Sequence, residues 1–392
     1  MNAPPHALDP ITAALGAVRD VLGDRRAALH EPEFRGQERA YIVDCIDTGW
    51  VSSVGAYVDR FERMLCDTTG AAHAVATANG TAALHTCLLL AGVRAGDEVL
   101  MPALTFIATA NAVSYVQATP HFVDSEPVSL GVDAQALEAY LRDAAELRGD
   151  ACFNRRSGAR ISALVVMHVF GHPCDLDALD EVAQRWRLVL VEDAAESLGA
   201  SYKGRHTGNV GRLAALSFNG NKVVTTGGGG AVLCNDAALG ARAKHLTTTA
   251  RLPHRWSFLH DEVGYNYRLP NLNAALGCAQ LERLGDLIER KRRLARRYRD
   301  AFVGVAGMQL LDEPPQTQSN FWLNAVVLDP GLAARRDDLL AALNDAGYMS
   351  RPLWTLMHRL PMYATCPRMP LTVAESLEAR VVNLPSSAAL AD

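Results

Sequence analysis

The sequence predicts an α/β fold: a large domain with a mostly parallel central sheet, covered by helices on both faces, followed by a smaller α+β domain. Strand-like and helix-like stretches alternate from Tyr41 to Arg268, which is the pattern of a parallel sheet. After Arg268 the pattern changes to long helical stretches and a short mixed region. With 392 residues, the chain is also long enough to form two globular parts.

Residues 1–30 differ in composition from the rest of the chain. They start with a proline-rich run and continue as ITAALGAVRDVLG, whose apolar spacing suits one amphipathic helix packed on the body of the protein. We therefore expect an N-terminal extension over residues 1–30, a large domain over residues 31–270, and a connecting helix with a small C-terminal domain over residues 271–392.

Apolar runs and helical patterns define the predicted elements. Strands are expected at 71–78, 97–104, 119–124, 162–170 and 188–195. Helices are expected between them, at 80–92, 106–116, 133–144 and 175–186. The later elements are a helical stretch at 273–302, an apolar segment at 321–328 and a helical segment at 337–347.

Charge and cysteine usage limit what the protein binds and where it is found. A net charge of −5 and a pI near 6.2 provide no basic surface for a nucleic acid. The first residues lack the pattern of a secretory signal, and no apolar run could span a membrane. The eight cysteines form no CxxC pair and no cluster with metal-ligand spacing. We expect a cytoplasmic protein that binds a small molecule, with no metal, nucleic acid or membrane as a partner.

Three polar segments follow predicted strands, at the edge where an open parallel sheet binds its ligand. The first is Asn79-Gly80-Thr81, which opens a helix, so its backbone N–H groups and the Thr81 hydroxyl could hold a phosphate. The alternative is that Asn79 only caps the helix, which is the more common use of such a residue.

The second segment, VEDAAE, directly follows a buried apolar run and contains Asp193 and Glu196. A carboxylate at this place needs a cation or a hydrogen-bond donor, although acids at strand ends also cap turns. The third segment is SFNGNKVVTTGGGG, where Lys222 offers an amine that can condense with an aldehyde. By itself, this third segment could instead be an exposed hairpin tip.

Together, the three segments match the requirements of pyridoxal 5′-phosphate, which needs a phosphate cradle, an acid for its ring nitrogen and a lysine for its aldehyde. Asp193 would keep the ring nitrogen protonated, and Lys222 would serve as anchor and proton shuttle. Phe106, which follows the strand predicted at 97–104, would stack on the ring.

Several motifs agree in order and spacing with one known family. They are GWVSSVGAYVDRFE, NGTAAL, TFIATANAV, VFGHPCDLDAL, VEDAAESLGA, SFNGNK with its glycines, and GYNYRLPNLNAALGCAQLE. From about Glu31 to near its C-terminus, the chain resembles the sugar-nucleotide aminotransferases of the DegT/DnrJ/EryC1/StrS family. The resemblance implies a fold type I aminotransferase with pyridoxal phosphate as cofactor.

The resemblance also assigns roles residue by residue. Lys222 becomes the catalytic Schiff-base lysine, and Asp193 becomes the catalytic partner of the pyridine nitrogen. The other cofactor-binding residues that it implies are Gly80, Thr81, Phe106, Glu196, Ser217 and Asn266. Glu196 departs from the more common Gln or His and would repel a phenolate, so we expect a raised pKa or another hydrogen-bond partner. Asn266 matches a residue lent by a second subunit, which implies a homodimer with shared active sites.

Seven residues from both predicted domains are expected to bind the substrate. They are Trp50, Ser52, Ser53, Arg268, Arg351, Trp354 and His358. Arg268, with Arg292 and Arg293, could meet a pyrophosphate, although a basic helical run is more often a solvated face. The alternative is that the two tryptophans are core residues, which is the more common fate of tryptophan, and that His358 is a packing histidine.

Further motifs resemble one branch of the family. LHEPEFRG, HLTTTAR, SRPLWTLMHRLPMY and NLPSS are similar to the legionaminic and bacillosamine aminotransferases. This implies transfer of an amino group from L-glutamate to a UDP-linked 4-keto-6-deoxy-N-acetylhexosamine. A GDP-linked 4-keto-6-deoxymannose is the alternative substrate, and a non-catalytic regulator that binds the cofactor or a sugar nucleotide is the alternative class. Lys222 argues against a related dehydratase branch, which carries histidine at that position.

Overall fold

A computed structural model of the chain describes residues 8–392, which form twelve α-helices and sixteen strands. None of these helices combines the length and the apolar character needed to cross a membrane. The helices are α1 (Pro10–Leu22), α2 (Glu38–Thr48), α3 (Ala56–Thr69), α4 (Gly80–Leu90), α5 (Ile107–Tyr115), α6 (Ala134–Ala144), α7 (Leu176–Arg185), α8 (Ala237–Thr247), α9 (Asn271–Leu281), α10 (Leu284–Phe302), α11 (Arg336–Asp345) and α12 (Thr372–Glu378).

The strands fall into three sheets, of nine, four and three strands. They are β1 (His73–Thr77), β2 (Glu98–Pro102), β3 (Thr119–Val123), β4 (Ala145–Arg148), β5 (Ala151–Asn154), β6 (Arg160–Met167), β7 (Val189–Asp193), β8 (Ser201–Tyr202), β9 (Arg205–His206), β10 (Leu213–Ser217), β11 (Gly230–Cys234), β12 (Met308–Leu310), β13 (Thr317–Gln318), β14 (Asn324–Leu328), β15 (Arg351–Pro352) and β16 (Val381–Leu384).

The nine-stranded sheet at the centre of the large domain is mostly parallel, which confirms the predicted fold class. Its main path has the order β1-β11-β10-β7-β6-β2-β3, and the β4-β5 hairpin joins it at β6. On this path β11 is antiparallel to both of its neighbours, and the other adjacent strands are parallel. The carboxyl end of β1 therefore lies at the same edge of the sheet as those of β10, β7, β6 and β2.

The helix α4 follows β1 directly, so its N-terminus lies at this same edge. Asn79 precedes the helix, and its side chain accepts a hydrogen bond from the N–H of Ala82 at 2.8 Å. The body of α4 packs on β10 and β11 through an almost entirely buried surface. The N-terminus of α4 therefore lies at the edge of the sheet where β10, β7, β6 and β2 end.

The small domain is built on an antiparallel sheet in the order β12-β14-β16-β15. The helix α1, from the predicted N-terminal extension, packs against α10 and α11 through buried residues that include Val18, Leu294 and Leu339. Residues 1–7 of that extension lie outside the described residues.

The helical stretch predicted at 273–302 is two helices, α9 and α10. The apolar α9 packs on α2 and α3 of the large domain, whereas α10 is amphipathic and packs on α1 and the C-terminal segment. The chain turns between Leu281 and Leu284 because these two helices bury their faces against different partners. Contacts of the large domain therefore continue beyond residue 270.

Candidate active site

A cavity of about 310 Å³ lies at the edge of the central sheet where β2, β6, β7 and β10 end. Its lining comes from the residues that follow these strands, from the N-terminus of α4 and from two segments of the small domain. The predicted site residues that line it are Gly80, Thr81, Phe106, Asp193, Glu196, Ser217, Lys222 and Trp354. Segments distant in the sequence thus meet because parallel strands end at one edge.

The N-terminus of α4 can bind an anion at one wall of the cavity. Within residues 8–392, the N–H groups of Gly80 and Thr81 have no acceptor, because they belong to the first helical turn and the Asn79 side chain binds the N–H of Ala82 instead. Ser217 lies so close that a Cβ on residue 80 would approach its Cβ to 2.8 Å. Asn79 therefore caps the helix, and the two neighbouring N–H groups stay available to a phosphate.

The glycine run after Lys222 supports this same wall and is not an exposed hairpin tip. Gly230, the first residue of β11, is buried, and a Cβ there would lie 2.5 Å from the carbonyl carbon of Asn79. Gly229 borders the cavity. The glycines therefore let β11 pack against the start of α4, which holds the anion site beside Lys222.

Asp193 ends β7 with its carboxylate buried beneath the cavity. The hydroxyl of Thr109 donates a hydrogen bond to Asp193 Oδ2 at 2.7 Å, and the N–H of Ala195 donates to Oδ1 at 3.2 Å. Burial raises the pKa of Asp193, and both donors and the nearby charge of Lys222 oppose that rise. Such a carboxylate is well placed to meet a cationic group in the cavity. No local sequence signal marks Thr109, because a threonine inside a helical stretch is not distinctive by itself.

Glu196 faces Lys222 from a fully buried position. Its Oε1 lies 3.4 Å from Lys222 Nζ, and its Oε2 accepts a hydrogen bond from the N–H of Phe170 at 2.9 Å. The backbone of Phe170 is left-handed, with φ of 56°, which is uncommon for a residue other than glycine. Burial raises the pKa of Glu196 to about 7, although the charge of Lys222 lowers it in part. Glu196 therefore has both a raised pKa and a second hydrogen-bond partner.

We expect Glu196→Gln to change how the stability of the cofactor-free protein depends on pH. The pKa of Glu196 is about 7 in the folded protein and 4.5 in its ordinary state. Between these two pH values the folded protein keeps the proton that the unfolded chain has lost. The free energy of unfolding therefore falls as the pH rises through this window. At a pH of about 8.5 the variant should be more stable than the wild type by up to roughly 3 kcal/mol.

Urea denaturation at about pH 5 and about pH 8.5 measures this effect, since the difference should shrink toward zero at the lower pH. Glu181→Gln, on the exposed face of α7, is the matched control and should show no such pH dependence. A stability difference of equal size at both pH values would contradict the assignment.

Lys222 extends from the loop after β10 into the cavity, with its side chain 14% exposed. Its Nζ lies 3.9 Å from the centre of the Trp322 ring. No local sequence signal marks Trp322, because a tryptophan in an apolar run is more often part of a core. Asn219 and Asn221, from the loop that carries Lys222, also line the cavity.

Seven predicted site residues do not line the cavity of this chain: Trp50, Ser52, Ser53, Asn266, Arg268, Arg351 and His358. Arg268 is buried in an ion pair with Glu62 at 2.7 Å, which leaves the expected contact with a pyrophosphate without support. Arg292 is likewise paired with Glu313 at 2.8 Å. The reason is that both guanidinium groups neutralise buried or half-buried carboxylates of their own chain.

The other residues of this set have different surroundings. His358 Nε2 lies 3.2 Å from Glu375, and Arg351 is exposed. Trp50 is 58% exposed and Trp354 lines the cavity, so neither tryptophan is a core residue. Asn266 lies in a short bridge with Thr248, outside the cavity.

The groups around the cavity fit pyridoxal 5′-phosphate. Free N–H groups and a hydroxyl at the start of α4 suit its phosphate, and the buried Asp193 suits a protonated ring nitrogen. The amine of Lys222 suits the aldehyde. Phe106 is half-exposed beside the cavity, and its ring centre lies 6.4 Å from that of Trp354. These residues offer an aromatic wall to a flat ring.

Comparison with known proteins agrees with this chemistry. The model of the DegT/DnrJ/EryC1/StrS aminotransferase family matches residues 32–392. GDP-perosamine synthase of Caulobacter vibrioides is 37% identical over 368 residues, which are 94% of this chain and 95% of the relative. GDP-perosamine synthase of Escherichia coli O157:H7 is 35% identical, over 93% of this chain and 94% of the relative. The crystal structure of a DegT DnrJ EryC1 StrS aminotransferase from Brucella abortus is 28% identical, with a TM-score of 0.81 and 90% of each chain covered.

These findings confirm the resemblance at the level of the family. At the finer level, three of the relatives are GDP-perosamine synthases, at 34–37% identity, and not aminotransferases of the legionaminic or bacillosamine type. The chain belongs to the DegT/DnrJ/EryC1/StrS aminotransferase family and is a pyridoxal phosphate-dependent sugar-nucleotide aminotransferase.

Proposed function

We propose that the protein transfers the amino group of L-glutamate to C4 of GDP-linked 4-keto-6-deoxymannose. The observation that carries the amino transfer is the meeting of Lys222, Asp193 and the free N-terminus of α4 in one cavity. The choice of GDP is supported by the GDP-perosamine synthases, which are 34–37% identical to this chain over more than nine-tenths of its length.

We assign the chemical work to four groups of the chain. The start of α4 anchors the phosphate of the cofactor, and Asp193, held by Thr109, keeps a proton on the ring nitrogen. When bound, pyridoxal phosphate supplies a ring that withdraws electrons from the carbon next to the amino nitrogen. The Nζ of Lys222 removes and returns the proton at that carbon, as a general base and then a general acid.

Aromatic side chains offer a surface for the sugar. Trp354 lines the cavity, and its ring centre lies 6.4 Å from that of Phe106 and 5.3 Å from that of Phe170. The apolar faces of a hexose pack well on such rings, whereas its hydroxyl groups need polar partners elsewhere. We therefore assign Trp354 to the sugar subsite.

We also propose a homodimer in which Asn266 serves the cofactor site of the partner. The segment that precedes Asn266 exposes large apolar side chains, among them Trp256 (71% exposed) and Phe258 (72% exposed). Trp50, with Ser52 and Ser53 close by in sequence, is exposed as well. Exposed clusters of this kind usually mark an interface, and a second copy of the chain would cover them.

A panel of keto sugars tests the substrate. The protein is loaded with pyridoxamine phosphate, mixed with GDP-4-keto-6-deoxymannose or its UDP- and dTDP-linked counterparts, and followed by the return of visible absorption. We expect the GDP-linked sugar to react faster than the UDP-linked 2-acetamido sugar by more than about tenfold, since a nucleotide pocket built for one base leaves polar groups unpaired with another. Conversion of the pyridoxal form by L-glutamate checks the donor.

Each outcome of the panel decides between named alternatives. A faster reaction with the UDP-linked 2-acetamido sugar would replace the GDP proposal with the legionaminic and bacillosamine type of reaction. A protein that takes up the cofactor but reacts with neither glutamate nor any keto sugar would be the non-catalytic regulator. GDP without a sugar serves as the control for effects of nucleotide binding alone.

A further inference from the structure

The Trp322 ring is fixed beside Lys222 before any ligand binds. Its indole Nε1–H donates a hydrogen bond to the carbonyl oxygen of Asn221 at 2.7 Å. Asn221 is the residue just before Lys222, so this bond ties the ring to the loop that carries the lysine. The backbone N–H of Trp322 donates to Asn320 Oδ1 at 2.8 Å, and its carbonyl oxygen accepts from Lys291 Nζ at 3.1 Å. The ring is therefore held at both its side chain and its backbone.

The face of this ring is presented to the lysine amine. Lys222 Nζ lies 3.9 Å from the ring centre, which is well within the range of a cation–π contact, and the tryptophan is buried. Such contacts are strongest with tryptophan and in places that water does not reach. Within residues 8–392, the ion-pair partner of the amine is Glu196, at 3.4 Å. The ring thus supplies an attraction for an ammonium group that does not depend on whether Glu196 carries a proton.

We propose that the face of Trp322 holds the amine of Lys222 whenever that amine is not bonded to the cofactor, which makes Trp322 a positioning residue for the proton transfers of Lys222. The inference rests on the proposed function, because it concerns the same lysine. During amino transfer Lys222 must leave the cofactor, stay within reach of the reacting carbon and return. A ring fixed to the same loop keeps the free amine in place through the part of the cycle in which no covalent bond does so.

Loss of the Trp322 ring should affect the binding of the two cofactor forms differently. The empty protein and the protein loaded with pyridoxamine phosphate both have a free Lys222 amine, whereas pyridoxal phosphate engages it. Loss of the ring should therefore disfavour the first two states and spare the third. In Trp322→Leu, the dissociation constant for pyridoxal phosphate should fall relative to that for pyridoxamine phosphate by about tenfold, and Trp322→Phe should recover a large part of the wild-type ratio.

Equilibrium binding of the two cofactor forms to wild type, Trp322→Leu and Trp322→Phe measures this ratio. Trp186→Leu is the matched control, since Trp186 follows α7 and does not line the cavity, and its loss should leave the ratio unchanged. If Trp322→Leu changes both constants by the same factor, Trp322 only lines the cavity, and the proposal is wrong.

A second measurement uses protein with the native Trp322, so it does not depend on whether a Trp322 variant folds. Lysine occurs at four positions only, Lys203, Lys222, Lys244 and Lys291, so protein labelled with ¹³C at lysine Cε gives four groups of signals. The Lys222 signal, assigned by its loss in Lys222→Ala, should be shifted upfield by the indole ring in the free protein. The shift should persist with pyridoxamine phosphate and disappear with pyridoxal phosphate.

An unshifted Lys222 signal in the pyridoxamine phosphate complex would overturn the proposal. This failure is separate from a failure of the proposed function. The latter would show as a wild-type protein that develops no visible absorption with pyridoxal phosphate, or that turns over no keto sugar.

Discussion

Replacing Lys222 by alanine is expected to abolish the visible absorption of the cofactor-loaded protein and to lower the rate of amino transfer by about 10³-fold or more. The side chain reaches the cavity beside Glu196 and Trp322, and it carries the only lysine amine among the residues that line this cavity within residues 8–392. Its removal deletes both the covalent anchor and the acid–base group, so neither function can be taken over by a neighbour. Absorption spectra and single-turnover rates with glutamate measure the two losses.

Lys203→Ala is the matched control for this experiment. Lys203 is an exposed lysine whose ammonium pairs with Asp177, and it does not line the cavity. The control should keep both the absorption and the rate. A small primary amine added to Lys222→Ala should restore part of the proton transfer, because it can enter the space that the side chain leaves. A Lys222→Ala protein with normal spectrum and turnover would refute the assignment of this lysine.

Asp193→Asn is expected to lower the rate of amino transfer by about 10²–10³-fold, a loss typical of removing one preorganised electrostatic group from an active site. The amide keeps the shape of the side chain and one acceptor oxygen for Thr109 or Ala195, but it cannot hold a positive charge on a ring nitrogen. The same substitution should leave the cofactor-free protein at least as stable as the wild type at neutral pH. Burial raises the pKa of Asp193, so its charged form costs the folded state stability as the pH rises above the ordinary value.

These opposite effects on rate and stability distinguish a functional acid from a structural one. Thermal denaturation of the cofactor-free protein and turnover of the loaded protein measure them in the same preparation. Thr109→Val should show a smaller loss of rate, because it removes only the donor that orients the carboxylate. Asp143→Asn, on an exposed part of α6, should change neither quantity. A clear loss of stability in Asp193→Asn would indicate that the carboxylate serves the fold.

The fold class follows from local patterns in the sequence. Short apolar runs such as LVLV predict central strands, and the helical patterns between them predict parallel neighbours, because a crossover helix returns the chain to the same end of the sheet. The strands β10 and β11, next to the glycine run, complete the sheet through antiparallel pairing. No strand was predicted at 230–234, so the antiparallel pairing of β11 with β1 and β10 came from the structure.

The break between α9 and α10 shows the limit of periodicity. The stretch at 273–302 reads as one helix because each half has helical spacing. The two halves bury different faces, one against α2 and α3 and the other against α1, and this difference arises only from the tertiary arrangement.

For the candidate site, the sequence by itself determined the groups that follow strand ends: the NGT segment, Asp193, Glu196 and Lys222. Such groups are accessible to inference because a polar residue after a buried strand has a known place in an open sheet. The tertiary structure alone decided that Thr109 holds Asp193, that Phe170 donates to Glu196, and that Arg268 is committed to Glu62.

Trp322 illustrates the difference most directly. It lies 100 residues beyond Lys222 in the sequence, yet its ring touches the amine and its Nε1–H binds the residue next to it. A local pattern reports which face of an element is buried, but a contact between distant segments depends on how whole layers pack. The reactive side chains could therefore be predicted from the sequence, whereas the contacts that position them were decided by packing between the two domains.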